Sequence, residues 1–382
     1  MYSVSGYGAM IADRGRMEAY TEALKRSIDP GAVVLDLGAG TGIFSLLACQ
    51  LGAKKVYAIE YNPAIEVAKK TAIANGYADK IEFIQQLSTE VELPELVDVI
   101  ISDLRGIIPL FERHIESLAD ARKRFLRPGG VLIPQKDVIS AAIVEAPNVW
   151  NGITEIWDKY CYGFQMDAAK KIVTNIWRKG WVTPSQLLAA PQVWTTLDYT
   201  CEQNPNASQT MTFQPARSGT AYGLSVWFET TLIEGIGFST APGMPELIYG
   251  TAFFPFSEPV TLRLGDKISV HLQANLVNNQ YIWRWDTRVF GAEDPQQCKV
   301  QLKQSTFSLG SLSPKQLRKQ AGNYRPKLNR DGKIAQFILD YMSQDMSLSV
   351  MAKLLVEQFP EDFSSMKDAL TRVGQLSALY SE

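Results

Sequence analysis

Histidine is scarce in this chain of 382 residues, which holds only His114 and His271, and its four cysteines, Cys49, Cys161, Cys201 and Cys298, lie far apart. Such spacing offers no imidazole or thiolate cluster for a metal, and it fits reduced thiols in a cytoplasmic setting. No apolar run approaches the roughly 20 residues of a membrane-spanning helix. The N-terminus has no signal-peptide pattern, so no membrane partner is expected. Charge of one sign is missing too. Lys and Arg number 38 against 40 Asp and Glu, a net of −2, which gives no excess of basic residues for nucleic acid. What remains is an ordinary globular composition, 46% hydrophobic and 20% charged, long enough for two or three domains.

The chain is organised around Val33-Val34-Leu35-Asp36-Leu37-Gly38-Ala39-Gly40-Thr41-Gly42. Five residues read as a buried strand, and the glycines form a tight turn. Ile43, Leu46, Leu47 and Leu51 then follow at helical spacing. Glycine lets a ligand approach the backbone, and the free N–H groups of the next helix face it. The spacing is G-x-G-x-G, unlike the G-x-G-x-x-G of dinucleotide sites. Asp36 stands two residues before the first glycine, where a carboxylate suits a cationic ligand without phosphate, as S-adenosylmethionine is. A second acid, Glu60, closes the strand Val56–Glu60, where it can accept ribose hydroxyls.

Residues 1–28 precede the first strand, with Ile11, Met17, Tyr20 and Leu24 on one helical stripe that can pack as a cofactor lid or lie as a surface helix. Residues 29–139 alternate strands and helices, which predicts a parallel, doubly wound, Rossmann-like sheet. Helices are expected over 64–75 and 112–125, and a turn at Pro128-Gly129-Gly130. Asp36, Glu60 and Asp103 all fall at the C-terminal ends of strands, where such sheets bind ligands. Residues 140–310 change to aromatic and β-branched runs, an antiparallel β-barrel or sandwich. A helical insertion over 151–178 interrupts it, with Trp150, Trp157, Tyr160, Tyr162, Phe164 and Trp177 as exposed-looking aromatics fit for an interface. Residues 311–329 read as a polar linker. Residues 330–382 read as three short helices, either a helix-turn-helix or winged-helix module or a helical cap on the barrel.

These motifs together resemble the protein arginine methyltransferase family over roughly residues 5–310. Met10-x-x-Asp13-x-x-Arg16-x-x-x-Tyr20 is similar to the family's cofactor-covering helix. That resemblance implies that Met10 touches the cofactor and Arg16 binds its carboxylate. Asp36, Gly38, Gly40 and Gly42 match the glycine motif, and Lys54–Glu60 the ribose-binding strand. Ser88 and Thr89 fall on the adenine-binding pair, with Thr89 where the family usually has an acid. The family's catalytic loop carries two glutamates nine residues apart. Here Asp103 and Glu112 hold those positions, the first acid being shorter by one C–C bond, about 1.5 Å. The family's Thr-His-Trp loop is replaced by Glu246-Leu247-Ile248. The 151–178 insertion resembles the dimerisation arm, which implies a homodimer. The C-terminal module resembles small winged-helix domains that bind a leader peptide.

The resemblance implies an N-methyltransferase that uses S-adenosylmethionine, leaves S-adenosylhomocysteine and acts on an arginine or similar nitrogen of a peptide or protein. Methyl transfer needs a nitrogen lone pair in line with the departing sulfur. A guanidinium is a poor nucleophile, and two carboxylates can orient it and concentrate its electron density. Glu112 is the expected orienting acid and proton acceptor, with Asp103 assisting. Arg105, His114 and Glu246 are candidates for lining the pocket. Arg105 either pairs with the acids, disfavouring a cationic substrate, or points to solvent. His114 is a general base or a helix-surface residue. Two other functions stay open: methylation of an amide, a carboxylate or a natural-product amine, and cofactor binding without turnover.

Overall fold

Five short strands with few charges, separated by amphipathic helices, assemble as their pattern dictates in a computed structural model describing residues 3–201, 204–309, 318–319 and 321–381. Two helices come first, α1 (Val4–Ala12) and α2 (Arg14–Ser27). Then follow β1 (Val33–Leu37), α3 (Ile43–Gln50), β2 (Lys55–Ile59), α4 (Ile65–Ala74), β3 (Ile81–Ile84), β4 (Val97–Ser102), α5 (His114–Phe125) and β5 (Leu126–Ile133). The strands pair in parallel in the order β3-β2-β1-β4-β5. All five residues of β1 are buried, as expected of a parallel strand covered on both faces. Strand order reverses between β1 and β4, and crevices for ligands open at such reversals.

Two boundaries differ from expectation. The helix predicted from Glu112 starts at His114, because Glu112 has a left-handed backbone with φ of 44°, outside helical geometry. Pro128-Gly129-Gly130 lies within β5 as a bulge: Val97 pairs with Leu126, but Val99 pairs with Val131.

The antiparallel part begins with β6 (Lys136–Val144). Helices α6 (Pro147–Thr154), α7 (Ile156–Lys159) and α8 (Asp167–Val173) form the insertion. The remaining strands are β7 (Arg178–Gly180), β8 (Gln192–Asp198), β9 (Ala207–Phe213), β10 (Gly219–Ile233), β11 (Ile236–Ser239), β12 (Thr251–Leu262), β13 (Lys267–Val277), β14 (Gln280–Phe290) and β15 (Cys298–Leu302). One sheet runs β7-β12-β10-β6-β8, with β11 on β10; the other runs β15-β14-β13-β9. Phe254 packs against Trp283 and Trp285 between them. The indole N–H of Trp194 donates to Leu272 O and that of Trp285 to Pro255 O, so these buried rings leave no donor unpaired.

The insertion splits the expected aromatic patch. Trp150 is buried and donates to Phe256 O, and Trp177 stacks on Phe254. Tyr160, Tyr162 and Phe164 are 70%, 96% and 76% exposed, and these remain as the protruding apolar face.

Residues 310–382 form a separate unit. Of the predicted linker, 311–317 and 320 lie outside the described residues. Helices Arg330–Met342, Leu348–Gln358 and Met366–Tyr380 enclose Ile338, Leu355 and Val373. Among the described residues this unit has no strand, so it shows three helices and no β wing. No helix of the described residues is long and apolar enough to cross a membrane.

Candidate active site

The glycine turn leaves β1 with Gly38, Gly40 and Gly42 at φ of 79°, 55° and 83°, values that side chains other than glycine rarely adopt. A side chain there would also force its neighbours to move. A Cβ on Gly38 would lie 2.3 Å from Leu104 Cδ2, and one on Gly40 2.4 Å from Tyr7 Cε1. Tyr7, on α1, thus covers the turn. The amides of Gly38 and Ala39 donate to Ile59 O. Glu60 accepts from the amides of Gly40 at 2.8 Å and Asn62 at 2.7 Å, which fixes a half-buried carboxylate beside the turn.

Asp36 is sealed beneath it, 1% exposed. Its Oδ2 accepts from Ser45 Oγ at 2.6 Å, tying the strand end to α3, and its Oδ1 has no partner. Burial pushes this carboxyl up to about 7, against the opposing Ser45 hydrogen bonds. Of the remaining expected cofactor residues, Met10 is half-buried and its carbonyl accepts from Arg16 NH1 at 3.2 Å. Ser88 and Thr89 begin a short 3-10 turn at the edge, with Thr89 exposed. An exposed edge, a cradle without Cβ atoms, a half-buried acid and an unpartnered buried oxygen are together a set that suits S-adenosylmethionine.

The loop after β4 carries the acids. Asp103 is surrounded. Its Oδ2 accepts from Arg16 Nε at 2.7 Å and from Tyr249 Oη at 2.7 Å, and it pairs with Arg16 NH2 at 2.6 Å. Its Oδ1 faces Arg105 Nε at 3.3 Å. Burial pushes the Asp103 carboxyl up, but Arg16 and Arg105 outweigh it and hold it below the ordinary range. Burial alone would likewise lower Arg16 and Arg105. The carboxylates and phenols around them hold both above the usual arginine value.

Arg105, left between two readings by the sequence, points inward and is 1% exposed. NH1 donates to Asp137 Oδ1 at 2.9 Å and to Thr230 Oγ1 at 2.6 Å, and NH2 donates to Tyr20 Oη. Four rings surround its guanidinium carbon, Phe238 at 5.4 Å, Phe228 at 5.5 Å, and Tyr20 and Tyr249 at 5.8 Å.

Two pocket candidates need correction. His114 is buried at the start of α5, hydrogen-bonded to Tyr199 Oη at 3.1 Å, and Tyr199 donates to Asp137. Burial and the nearby Arg105 push His114 down to about 3, so it is a much weaker base than a free imidazole. Glu246 is exposed, and the following segment turns inward: Leu247 packs on Gly15, and Ile248 N donates to Asp13 Oδ2 at 2.5 Å. Glu112 is exposed and forms no side-chain hydrogen bond or ion pair among the described residues. Sequence reasoning missed Asp137, Thr230 and Tyr249. Only Tyr249 had a local signal, standing just after the replaced Thr-His-Trp loop.

Comparison with known proteins gives a consistent picture. Residues 19–149 match the family model of ribosomal protein L11 methyltransferase, and residues 137–286 that of the arginine methyltransferase oligomerization subdomain. Protein arginine N-methyltransferase 6 of Danio rerio is 32% identical over 292 residues, covering 72% of this chain and 83% of that protein. Probable protein arginine N-methyltransferase 6 of Arabidopsis thaliana is 38% identical over 165 residues, 43% of this chain, and the match spans 38% of that protein. Among solved structures, Arabidopsis thaliana protein arginine methyltransferase 10 aligns with a TM-score of 0.69 at 23% identity, covering 80% of this chain and 98% of that one. The Trypanosoma brucei PRMT1 enzyme–prozyme heterotetrameric complex with AdoHcy aligns with a TM-score of 0.70 at 23% identity, covering 78% and 96%.

Proposed function

Because the chain belongs to the protein arginine N-methyltransferase family, we propose that it transfers a methyl group from S-adenosylmethionine to an arginine or similar side-chain nitrogen of a peptide or protein. The observation that carries this reading is the arrangement at the strand-order reversal. The glycine turn follows β1, the acid-bearing loop 103–112 follows β4, and β1 and β4 pair directly. Bound here, the cofactor would supply a sulfonium methyl to an in-line nucleophile. Glu60 and the amides of the glycine turn would hold its ribose and amino-acid portions, and Tyr7 and Met10 would cover it from α1. Arg16 is buried between the lid and Asp103, donating to the Met10 carbonyl and to the carboxylate, and it would turn from one of them to answer a carboxylate on the ligand.

Glu112 is the acid left for the substrate. Its carboxylate would accept the N–H of the nucleophile, turn the lone pair towards the methyl group, and take the proton that the methylated nitrogen sheds. Asp103 would act behind it by fixing Arg16 and Tyr249. The oligomerization subdomain and the protruding aromatics of the insertion support a homodimer.

Glu112→Gln tests the reading. The change keeps the size and removes the charge. Calorimetry should find cofactor affinity unchanged, while methyl transfer to an arginine peptide falls by about 100-fold or more. Activity retained in Glu112→Gln removes the assignment.

A further inference from the structure

Arg105 does more than fill the interior. A carboxylate offers about four acceptor positions. Around Asp103 four donors already stand: Nε and NH2 of Arg16, the Tyr249 hydroxyl and Nε of Arg105. Three of these crowd Oδ2, and Oδ1 has Arg105 alone. Oδ2 is taken by Arg16 and Tyr249, so Oδ1 is the oxygen a substrate N–H would need, and Arg105 stands against it. The charges also cancel, since Arg16 and Arg105 balance Asp103 and Asp137. A cation arriving at the loop meets a neutral cluster and one free acid, Glu112, in place of a negative pair.

Arg105 cannot easily swing away. Its guanidinium stays charged at any physiological pH. It is buried at 1% exposure, and Asp137, Thr230 and Tyr20 each accept one of its N–H groups inside a box of four aromatic rings. Leaving that box would strip a permanent charge of all its partners.

We infer that Arg105 is a specificity-determining residue: by standing against Oδ1 of Asp103 and cancelling its charge, it weakens binding of a guanidinium substrate and favours a nitrogen nucleophile without fixed charge, such as an imidazole. The inference rests on the reading of Asp103 and Glu112 as the family's acid pair, and it concerns binding, which can be measured without turnover.

Two fluorescent peptides that differ only in carrying arginine or histidine are titrated at about pH 8, where imidazole is neutral, with S-adenosylhomocysteine present. Wild type should bind the histidine peptide at least as tightly as the arginine peptide. Arg105→Met combined with Asp137→Asn removes one charge of each sign from the buried cluster and frees Oδ1. It should bind the arginine peptide about tenfold more tightly and the histidine peptide unchanged. Arg105→Lys keeps the cation and should keep the wild-type ratio. Unchanged arginine-peptide affinity in the double variant, when it still binds S-adenosylhomocysteine, overturns the inference. So does a wild type that prefers the arginine peptide by about tenfold, a result that needs no variant. Methyl transfer is followed separately. If binding behaves as expected and neither peptide is methylated, the role of Arg105 stands and the proposed activity falls.

Discussion

Asp36 is a carboxylate with one satisfied oxygen and one without a partner, sealed under the glycine turn. Burial raises its folded value to about 7, whereas in an unfolded chain an aspartate titrates near 3.9. For a carboxyl raised in this way, both states hold the proton below about pH 4, and the folded state suffers no penalty there. Stability is then lost as pH climbs from about 4 to about 7, and the loss is constant above that. Asp36→Asn should therefore gain on wild type by roughly 2 kcal/mol more at pH 8 than at pH 5 in urea unfolding. An offset equal at the two pH values would show that Asp36 is not the buried, raised acid described. The position of Asp36 at a strand end was legible in the sequence, because β1 is a run of apolar residues ending in glycines. Its enclosure was not, since Ser45 and the lid above the turn arrive from other elements. Arg105 makes the same point more strongly. Its location on the loop could be read from the spacing of Asp103 and Glu112, but its partners Asp137 and Thr230 are 32 and 125 residues away.

At the level of elements, Ile11, Met17, Tyr20 and Leu24 read as one helical stripe, yet the chain breaks at Asp13, with φ −70° and ψ 96°. The break is built by Asp13 itself. Its Oδ1 accepts from the amide of Arg16 at 3.1 Å, capping α2, and its Oδ2 accepts from Ile248 N at 2.5 Å. An aspartate at this spot is a helix-start signal that periodicity overrides when apolar spacing is counted alone. Replacing it with alanine should cost about 1–2 kcal/mol in urea unfolding, and Asp13→Ser should recover part of that through the cap. If Asp13→Ala leaves the urea midpoint in place, the two contacts do not fasten α2. The insertion gives the converse lesson. Its helices and aromatics were visible in the sequence, but which rings face outward was not. Trp150 and Trp177 find partners on β12, a strand about 80 to 100 residues further along the chain.

For the whole molecule, the alternation of strand and helix followed by β-branched runs gave the order of a parallel sheet and then antiparallel sheets, because each pattern can be buried in few ways. The protruding Tyr160, Tyr162 and Phe164 then set the expected assembly. Tyr162→Ser with Phe164→Ser should turn a dimer into a monomer in light scattering at micromolar concentration, since aromatic anchors carry most of such an interface. A wild type already monomeric, or a variant still dimeric, would refute the arm as the interface. Lastly, the cluster around Arg105 draws on α2, the loop after β4, β6, β10 and the approach to β12. This bears on how such a sequence can drift. A neutral residue at 105 alone leaves Asp137 buried without its ion-pair partner, a loss of about 3–5 kcal/mol, which rivals the stability of a typical domain. A neutral residue at 137 alone strands Arg105 in the same way. Descendants can leave this arrangement only by changing both positions nearly together, so whatever substrate preference Arg105 imposes is inherited as a pair and is slow to be lost.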